Sequence, residues 1–497
     1  MALGFEDYRR HDALGLAEAI ARGDFSAQEV AQAALARLRA VNPLVGAVSW
    51  LDEALAERLC RGEPDPAAAA TGAFAGVPYF IKDLHAPVRG LPLRHGSRLF
   101  EGQVFDFDSE TVARLRRAGL RILGRTAAPE FGMNLSTEPV LTGPTRNPWN
   151  LAYSAGGSSG GAAAAVASGI VPAAHATDSG GSIRIPASVN GLIGLKPTRG
   201  LIPTGPHRGD ASYGMSHEHA VTRSVRDCAA LLDAVAGPDV GAPYFTTPPA
   251  TPYLQAIARA PRRLRIAFMV QDFSGAPVHP DCAQAVQATA RRLQALGHAV
   301  EAAAPAFDAP ALAAASTKLL LTGLAAQVGA REQQLGRAAR DDELEPLTRA
   351  AVQMGRSVSG IDLASQLPVL NAQVRRLAAF FEAWDVLLTP ALAQPPARLG
   401  ELHTRSTDLE DYHRLLRRYS PFTGPFNATG QPAASLPLHW NDAGLPIGVQ
   451  VVARFGEDST LLQLARELEQ DCGGFDRVAP LAAPGRPAPH AQDTAKD

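Results

Sequence analysis

Cysteine is scarce. Cys60, Cys228, Cys282 and Cys472 are scattered over 497 residues, and none sits in a CxxC pair or in a Cys/His set with zinc-ligand spacing. That spacing argues against a disulfide framework and a zinc site, and predicts free thiols in a reducing compartment. An excess of either charge is also lacking: 47 basic and 49 acidic residues leave a formal net charge of -2. Such a balance gives no electrostatic footprint for nucleic acid or an anionic membrane, and suits a small neutral or mixed-charge ligand. Long hydrophobic runs are missing too, since the longest small-apolar one, 161–174, is broken by Ser168 and Pro172 and is too short for a span. The start, MALGFEDYRRHDALG, has acidic residues and no apolar segment of the secretory kind, so a soluble cytoplasmic chain is expected. No internal repeat is present, which argues against a solenoid or propeller. High Ala, Arg and Pro usage fits a GC-rich bacterial genome.

What is present reads as alternating helices and strands. Ser26-Ala27-Gln28-Glu29 is a capping box, in which hydroxyl and carboxylate satisfy each other's exposed backbone donors; Val30, Ala34, Leu38 and Val41 then form one apolar stripe. Asn42-Pro43 is expected to stop that helix. A strand over 46–50, a helix over 52–60 and a surface loop over 64–72 follow. The next apolar strand, from Gly76 onward, ends in Lys82-Asp83. Burying an ammonium is costly unless it is paired or neutral, so this lysine is either a snorkelling strand end or a functional group. A helix over 109–118 and a strand over 120–123 make a unit typical of α/β proteins. Turn formers make 143–150 a loop. Beyond residue 198 the pattern is irregular to 218, helical over 224–236 and proline-rich over 238–261. Strand 264–270, helix 280–296 and strand 300–303 come next. Residues 309–384 read as a long helical insert, of a kind that covers a pocket, supports a homodimer or serves as a solvated scaffold. Strands over 385–389, 434–438 and 447–452 and a last helix over 459–470 precede a Pro/Ala-rich tail, 479–497, expected to be disordered.

Two glycine-flanked serine sites dominate the middle of the chain: Gly157-Ser158-Ser159-Gly160 and Gly180-Gly181-Ser182. Glycine is costly to order and is best explained where the backbone turns sharply or approaches another group closely. Taken singly, the Ser158 site reads equally well as a flexible Gly/Ser turn that caps a helix over 162–168, and Ser182 as a turn serine after two glycines. Gly156 to Gly160 matches GxSxG, yet the preceding 147–153 is loop-like and no HGGG-type oxyanion motif lies upstream. Neither GxxxxGK[ST] nor a strand-flanked GxGxxG occurs in this stretch. The concurrence of Lys82, Ser158 and Ser182 favours chemistry. A serine hydroxyl is a poor nucleophile until a base accepts its proton, and a lysine kept neutral by burial can be that base. His175, in the short apolar run between the sites, reads as a satisfied core histidine.

The stretch GGSSGGAAAAVASGIVPAAHATDSGGSIRIPAS, with LKPT after it and FIKDL before it, resembles the amidase signature family, and the resemblance extends from the first helix to about Glu469. It implies an α/β fold with a large central mixed β-sheet flanked by helices on both faces, as a single domain over 1–478 that contains the insert 309–384. It further implies a serine hydrolase with a Ser-cisSer-Lys triad, in which Ser182 is similar to the nucleophile, Ser158 to the bridging serine after a cis peptide bond, and Lys82 to the base. Backbone N–H groups of Ser179, Gly180, Gly181 and Ser182 would form the oxyanion hole. Asp178 and Arg184, which flank that turn with opposite charges, are assigned to holding it in shape. The expected reaction is hydrolysis of an amide C–N bond through an acyl-enzyme, with a small-molecule substrate and with no metal, organic cofactor, nucleic acid or membrane.

Residues 212–227 and 420–432 resemble the bacterial subgroup of aminohexanoate cyclic-dimer hydrolases, which implies linear or cyclic amides, anilides, esters or carbamates as substrates. Arg125-Thr126-Ala127-Ala128-Pro129-Glu130 departs from the KTNxPE of many relatives, so the pocket lacks an asparagine at Ala127. Ala127, Met133 and Phe426 are expected to line the pocket. The alternative is the glutaminase half of a glutamyl-tRNA amidotransferase complex; the RNPW loop and the C-terminal section resemble a stand-alone amidase more. Retention of all three triad residues argues against a catalytically dead scaffold.

Overall fold

A computed structural model describes residues 3–210 and 212–481. Its strands are β1 (Val48–Leu51), β2 (Pro78–Lys82), β3 (Arg121–Thr126), β4 (Arg146–Asn147), β5 (Asn150–Ser154), β6 (Ala173–Asp178), β7 (Ile193–Lys196), β8 (His217–Thr222), β9 (Arg265–Phe268), β10 (Ala299–Ala302), β11 (Val386–Pro390), β12 (Ala433–Trp440) and β13 (Pro446–Ala453). Eight of them form one mixed sheet in the order β10-β9-β11-β13-β12-β7-β8-β6. β9 runs parallel to β10 and β11, whereas the pairs from β11 to β6 are antiparallel. A three-stranded sheet, β1-β3-β2, adjoins the β6 edge: the Lys82 N–H donates to the His175 ring across that junction.

Helices cover both faces, so most of these strands are apolar throughout and do not alternate with polar residues. Successive residues still face opposite layers. Val386, Leu388, Val449 and Val451 pack with residues of the helices Val225–Val235, Pro280–Ala295 and Asp458–Asp471. Leu387 and Val452 point the other way, into a cluster with Phe381, Phe422 and Phe426.

The expected α/β fold with a large mixed sheet is therefore found. The Ser26 capping box is present, with Ser26 Oγ accepting from the Glu29 N–H at 3.1 Å and the Glu29 carboxylate accepting from the Ser26 N–H at 2.9 Å. Asn42-Pro43 does not stop that helix, which runs Ala27–Val45 and ends at Gly46 in a left-handed cap. Pro43 lies in its last turn, where one lost hydrogen bond is tolerated. Residues 143–150 are not all loop, because β4 and β5 pair there as a small hairpin. The irregular reading up to 218 missed the start of β8, whose histidines and glutamate are buried because strands flank it on both sides.

The insert holds the helices Ala309–Leu335, Pro346–Ser357 and Gly360–Ala383. By length and composition alone, Ala309–Leu335 is apolar enough to cross a membrane, although Ser316, Thr317 and Lys318 interrupt its apolar run in the sequence. Leu321, Leu324 and Val328 of that helix pack on Leu347, Ala351 and Val352 of the next. Of the expected disordered tail, Ala479 and Leu481 are tied down, through the Ala479 N–H to the Ala167 carbonyl at 2.8 Å and Arg37 Nη1 to the Leu481 carbonyl at 3.4 Å. Residues 482–497 lie outside the described residues.

Candidate active site

Three segments meet where β2 runs beside β6. Lys82, the last residue of β2, is fully buried, and its Nζ donates to Ser158 Oγ at 2.7 Å and to Thr177 Oγ1 at 2.8 Å. His175 and Thr177 lie two apart on β6 and so share a face. The first holds the Lys82 backbone, accepting its N–H at Nδ1, and the second holds the side chain. His175 Nε2 then donates to the Glu218 carboxylate at 3.3 Å, so this histidine is the satisfied core residue expected. Burial drives the Lys82 amine well below its ordinary 10.5, against the opposite pull of the Asp178 and Glu218 charges. Burial would raise Glu218, but the hydrogen bond and charge of His175 with the charges of Arg208 and His207 hold it below the ordinary glutamate value.

Ser158 follows a cis peptide bond with Gly157 and is 2 % exposed. Gly132 closes over it: φ there is +70°, and a Cβ would come within 3.0 Å of Ser158 Oγ and 2.8 Å of Leu84 Cδ2. Any side chain at that position would collide with the hydroxyl. Behind Ser158, the wholly buried helix Gly160–Ala167 begins. The Ser159 N–H donates to the Ser182 carbonyl at 3.2 Å, which ties the two serine segments together. No hydrogen bond reaches Ser182 Oγ among the described residues, and Ser182 is half-buried where Lys82 and Ser158 are closed off.

The turn 179–182 is braced from below. Asp178 and Arg184, both without solvent exposure, form a two-pronged pair, Nε to Oδ2 and Nη2 to Oδ1, each at 2.9 Å. Burial alone would raise the Asp178 carboxyl; the charge and hydrogen bonds of Arg184 and the Asn427 amide hold it well below the carboxylate range. Asp178 also accepts the Gly181 N–H at 2.7 Å and the Ile183 N–H at 3.2 Å. The Gly181 N–H is thereby engaged, and among the described residues the N–H groups of Ser179, Gly180 and Ser182 are the ones left without an acceptor. Gly181 has φ +135°, with Thr423 Oγ1 only 2.3 Å from where a Cβ would stand. That hydroxyl donates to the Gly180 carbonyl at 2.6 Å. Asn427 Nδ2 donates to the Asp178 carbonyl at 2.9 Å, and Arg184 Nη1 donates to Gln450 Oε1 at 2.7 Å.

The three expected pocket residues separate. Met133 is half-buried next to Gly132, and its carbonyl accepts from the Tyr412 hydroxyl. Ala127 is 2 % exposed and held by its backbone, N–H to the Ala47 carbonyl and carbonyl to the Gly161 N–H. Phe426 is fully buried and stacks edge-on with Phe273. Sequence reasoning missed Thr177, Gly132, Thr423 and Asn427. Thr177 had a signal, since it lies one residue before Asp178 on the strand that leads into the turn. Thr423 and Asn427 lie in the stretch 420–432 marked by its resemblance, but nothing in the sequence set that stretch against the turn 179–182. Among the described residues no group of three or more His, Cys, Asp or Glu side chains is arranged to hold a metal ion.

The family model described as Amidase matches residues 29–462. A 6-aminohexanoate-cyclic-dimer hydrolase of Pseudomonas sp. (strain NK87) is 38% identical over 495 residues, 97% of this chain and 98% of its own. The solved structure of a 6-aminohexanoate cyclic dimer hydrolase superposes with a TM-score of 0.88 at 37% identity, covering 95% of this chain and 99% of that one. A chain of the glutamyl-tRNA(Gln) amidotransferase of Thermotoga maritima is also similar, with a TM-score of 0.72 and 25% identity over 94% of each chain.

Proposed function

The chain belongs to the amidase family, and from that premise we propose that it cleaves the C–N bond of a small carboxylic amide by acyl transfer to Ser182, with Ser158 and Lys82 as proton relay. The observation that carries the relay is the 2.7 Å contact between a fully buried Lys82 amine and Ser158 Oγ. Because burial favours the neutral amine, its lone pair is free to take the Ser158 proton while Ser158 takes that of Ser182. Ser182 Oγ attacks the carbonyl carbon, and the oxyanion meets the free N–H groups of Ser179, Gly180 and Ser182. Such fixed donors are each worth about 3 kcal/mol because they need no reorganisation as charge develops. Collapse breaks the C–N bond, and the leaving nitrogen takes the proton back from Lys82 through Ser158. Water then attacks the Ser182 ester, giving its proton to the same relay and releasing the acid.

The test is turnover of Ser182→Ala beside the wild type. The panel covers linear amides, cyclic amides, anilides, esters and carbamates, and includes the 6-aminohexanoate cyclic dimer named for the relatives. The expected result is a folded variant slower by at least about 10³-fold on every substrate that the wild type cleaves. A folded Ser182→Ala at the wild-type rate would sink the assignment. The amidotransferase reading has the weaker support, at a TM-score of 0.72 against 0.88.

A further inference from the structure

Three residues beyond Lys82 the backbone takes a turn that L-residues avoid. The Ala86 N–H donates to the Leu84 carbonyl at 2.9 Å, closing a three-residue turn around His85, whose φ is +66°. A γ-turn with positive φ at its centre is the rare, strained form, and a non-glycine residue there persists only where its surroundings over-determine it. Here they do. Fully buried Arg125 donates from Nη1 to the Ala86 carbonyl at 2.7 Å and from Nε to the Pro92 carbonyl at 2.8 Å. Asp83 accepts the Arg94 N–H at 2.8 Å, and His207 Nε2 donates to the His85 carbonyl at 3.0 Å.

The His85 side chain is treated differently from its backbone. Among the described residues no hydrogen bond reaches its imidazole, and it is half-buried between Leu84 and Ala86, which are closed off from solvent. Its ring lies 5.8 Å from that of His95, which stacks on Phe131 at 6.1 Å. His95 and Phe131 also have positive φ, +54° and +49°. Three strained non-glycine residues thus converge beside the Lys82–Ser158 contact, and Phe131 leads directly into the Gly132 turn over Ser158.

We propose that His85 contacts the substrate, its imidazole hydrogen-bonding an uncharged polar group, such as a second amide, in the part of the substrate beyond the scissile bond. The inference rests on the amidase reading above and narrows its substrate class. Burial first, and then the charge of Arg208, favours the neutral ring. A neutral imidazole offers one donor and one acceptor, which an amide satisfies and an alkyl group leaves unpaired. A carboxylate in the same place would stabilise the Lys82 ammonium and disable the base.

The experiment measures kcat/KM of the full chain on three amides that share a scissile bond and length but end in a neutral amide, an isosteric alkyl group or a carboxylate. The variants are His85→Gly, which keeps the positive φ without the ring, His85→Phe, and His85→Asn, which tolerates the left-handed turn and supplies an amide. The wild type is expected to favour the amide-ended substrate over the alkyl-ended one by at least about tenfold. That ratio should fall toward one in His85→Gly and His85→Phe and recover in part in His85→Asn. A ratio unchanged in His85→Gly, with or without uniform loss of rate, would overturn the contact. A wild-type preference for the carboxylate-ended or alkyl-ended substrate would overturn the class. Failure of the amidase reading shows separately, as Ser182→Ala matching the wild type on all three.

Discussion

Lys82 and Lys196 each end a strand, each is fully buried, and burial pushes both amines well below the ordinary lysine value. What separates them is the partner. Lys196 Nζ donates to the Pro197 carbonyl, an atom with no proton to give, whereas Lys82 Nζ meets two hydroxyls. Burial favours the neutral amine in both; only Lys82 has a hydroxyl beside it with a proton to exchange. Thr177 holds the second hydrogen bond, so Thr177→Val should lower kcat/KM by about tenfold, the worth of one buried hydrogen bond, while Thr177→Ser stays near wild type. Equal rates for Val and wild type would remove Thr177 from the relay. With burial holding the Lys82 amine well below its ordinary 10.5, kcat/KM should be lost on acidification and should not climb through the lysine range near 10.5. A pH–rate profile rising there would mean that Lys82 is charged at rest. The residues of the candidate triad were legible because each lies in a local motif. Thr177 was legible in principle, by counting two along the strand from His175. Thr423 and Asn427 were not, since only the assembled sheet brings them to the turn.

Single elements also carry function at their joints. The segment that covers Ser158 is fastened to the helical insert by Glu130, which is 3 % exposed and accepts from Ser97 Oγ at 2.6 Å and from the Glu345 N–H at 2.8 Å. Burial raises its carboxyl to about 7, against the hydrogen bonds of Ser97 and Thr348. Between the ordinary 4.5 and about 7 the folded chain therefore holds a proton that the unfolded chain releases. Stability should fall as pH rises through that window, by up to about 1.4 kcal/mol per unit for this group. Urea unfolding at several pH values should show a shallower fall in Glu130→Gln, and an identical slope would assign the proton elsewhere. On the far side, the helix Leu409–Tyr419 holds Met133 through Tyr412. This helix escaped the sequence reading because its apolar face is short, with Leu409 and Tyr412 its buried residues, amid charged neighbours. β8 escaped for the opposite reason, its polar residues being hidden by strands on both sides.

At the scale of the whole molecule the candidate nucleophile's turn depends on residues far along the chain. Arg184 joins Asp178 to Thr423, Asn427 and Gln450, all buried. Removing one partner of a buried pair leaves an uncompensated charge, so Arg184→Leu should cost about 3–5 kcal/mol in chemical denaturation. A loss below about 1 kcal/mol, the range of exposed pairs, would show that the brace is not needed.

The sheet order has a consequence for how the chain is made. Among the described residues β12 and β13 are the last strands to leave the ribosome, yet they fill the centre of the sheet, between β11 on one side and β7 on the other. Asn427 is synthesised 249 residues after the Asp178 whose carbonyl it holds, roughly 12–50 s later at about 5–20 residues per second. Until β12 and β13 are made, the facing edge of β7, and later that of β11, has no neighbour, and unpaired strand edges invite association between chains. The order of translation thus leaves the centre of the sheet to be filled after both of its flanks.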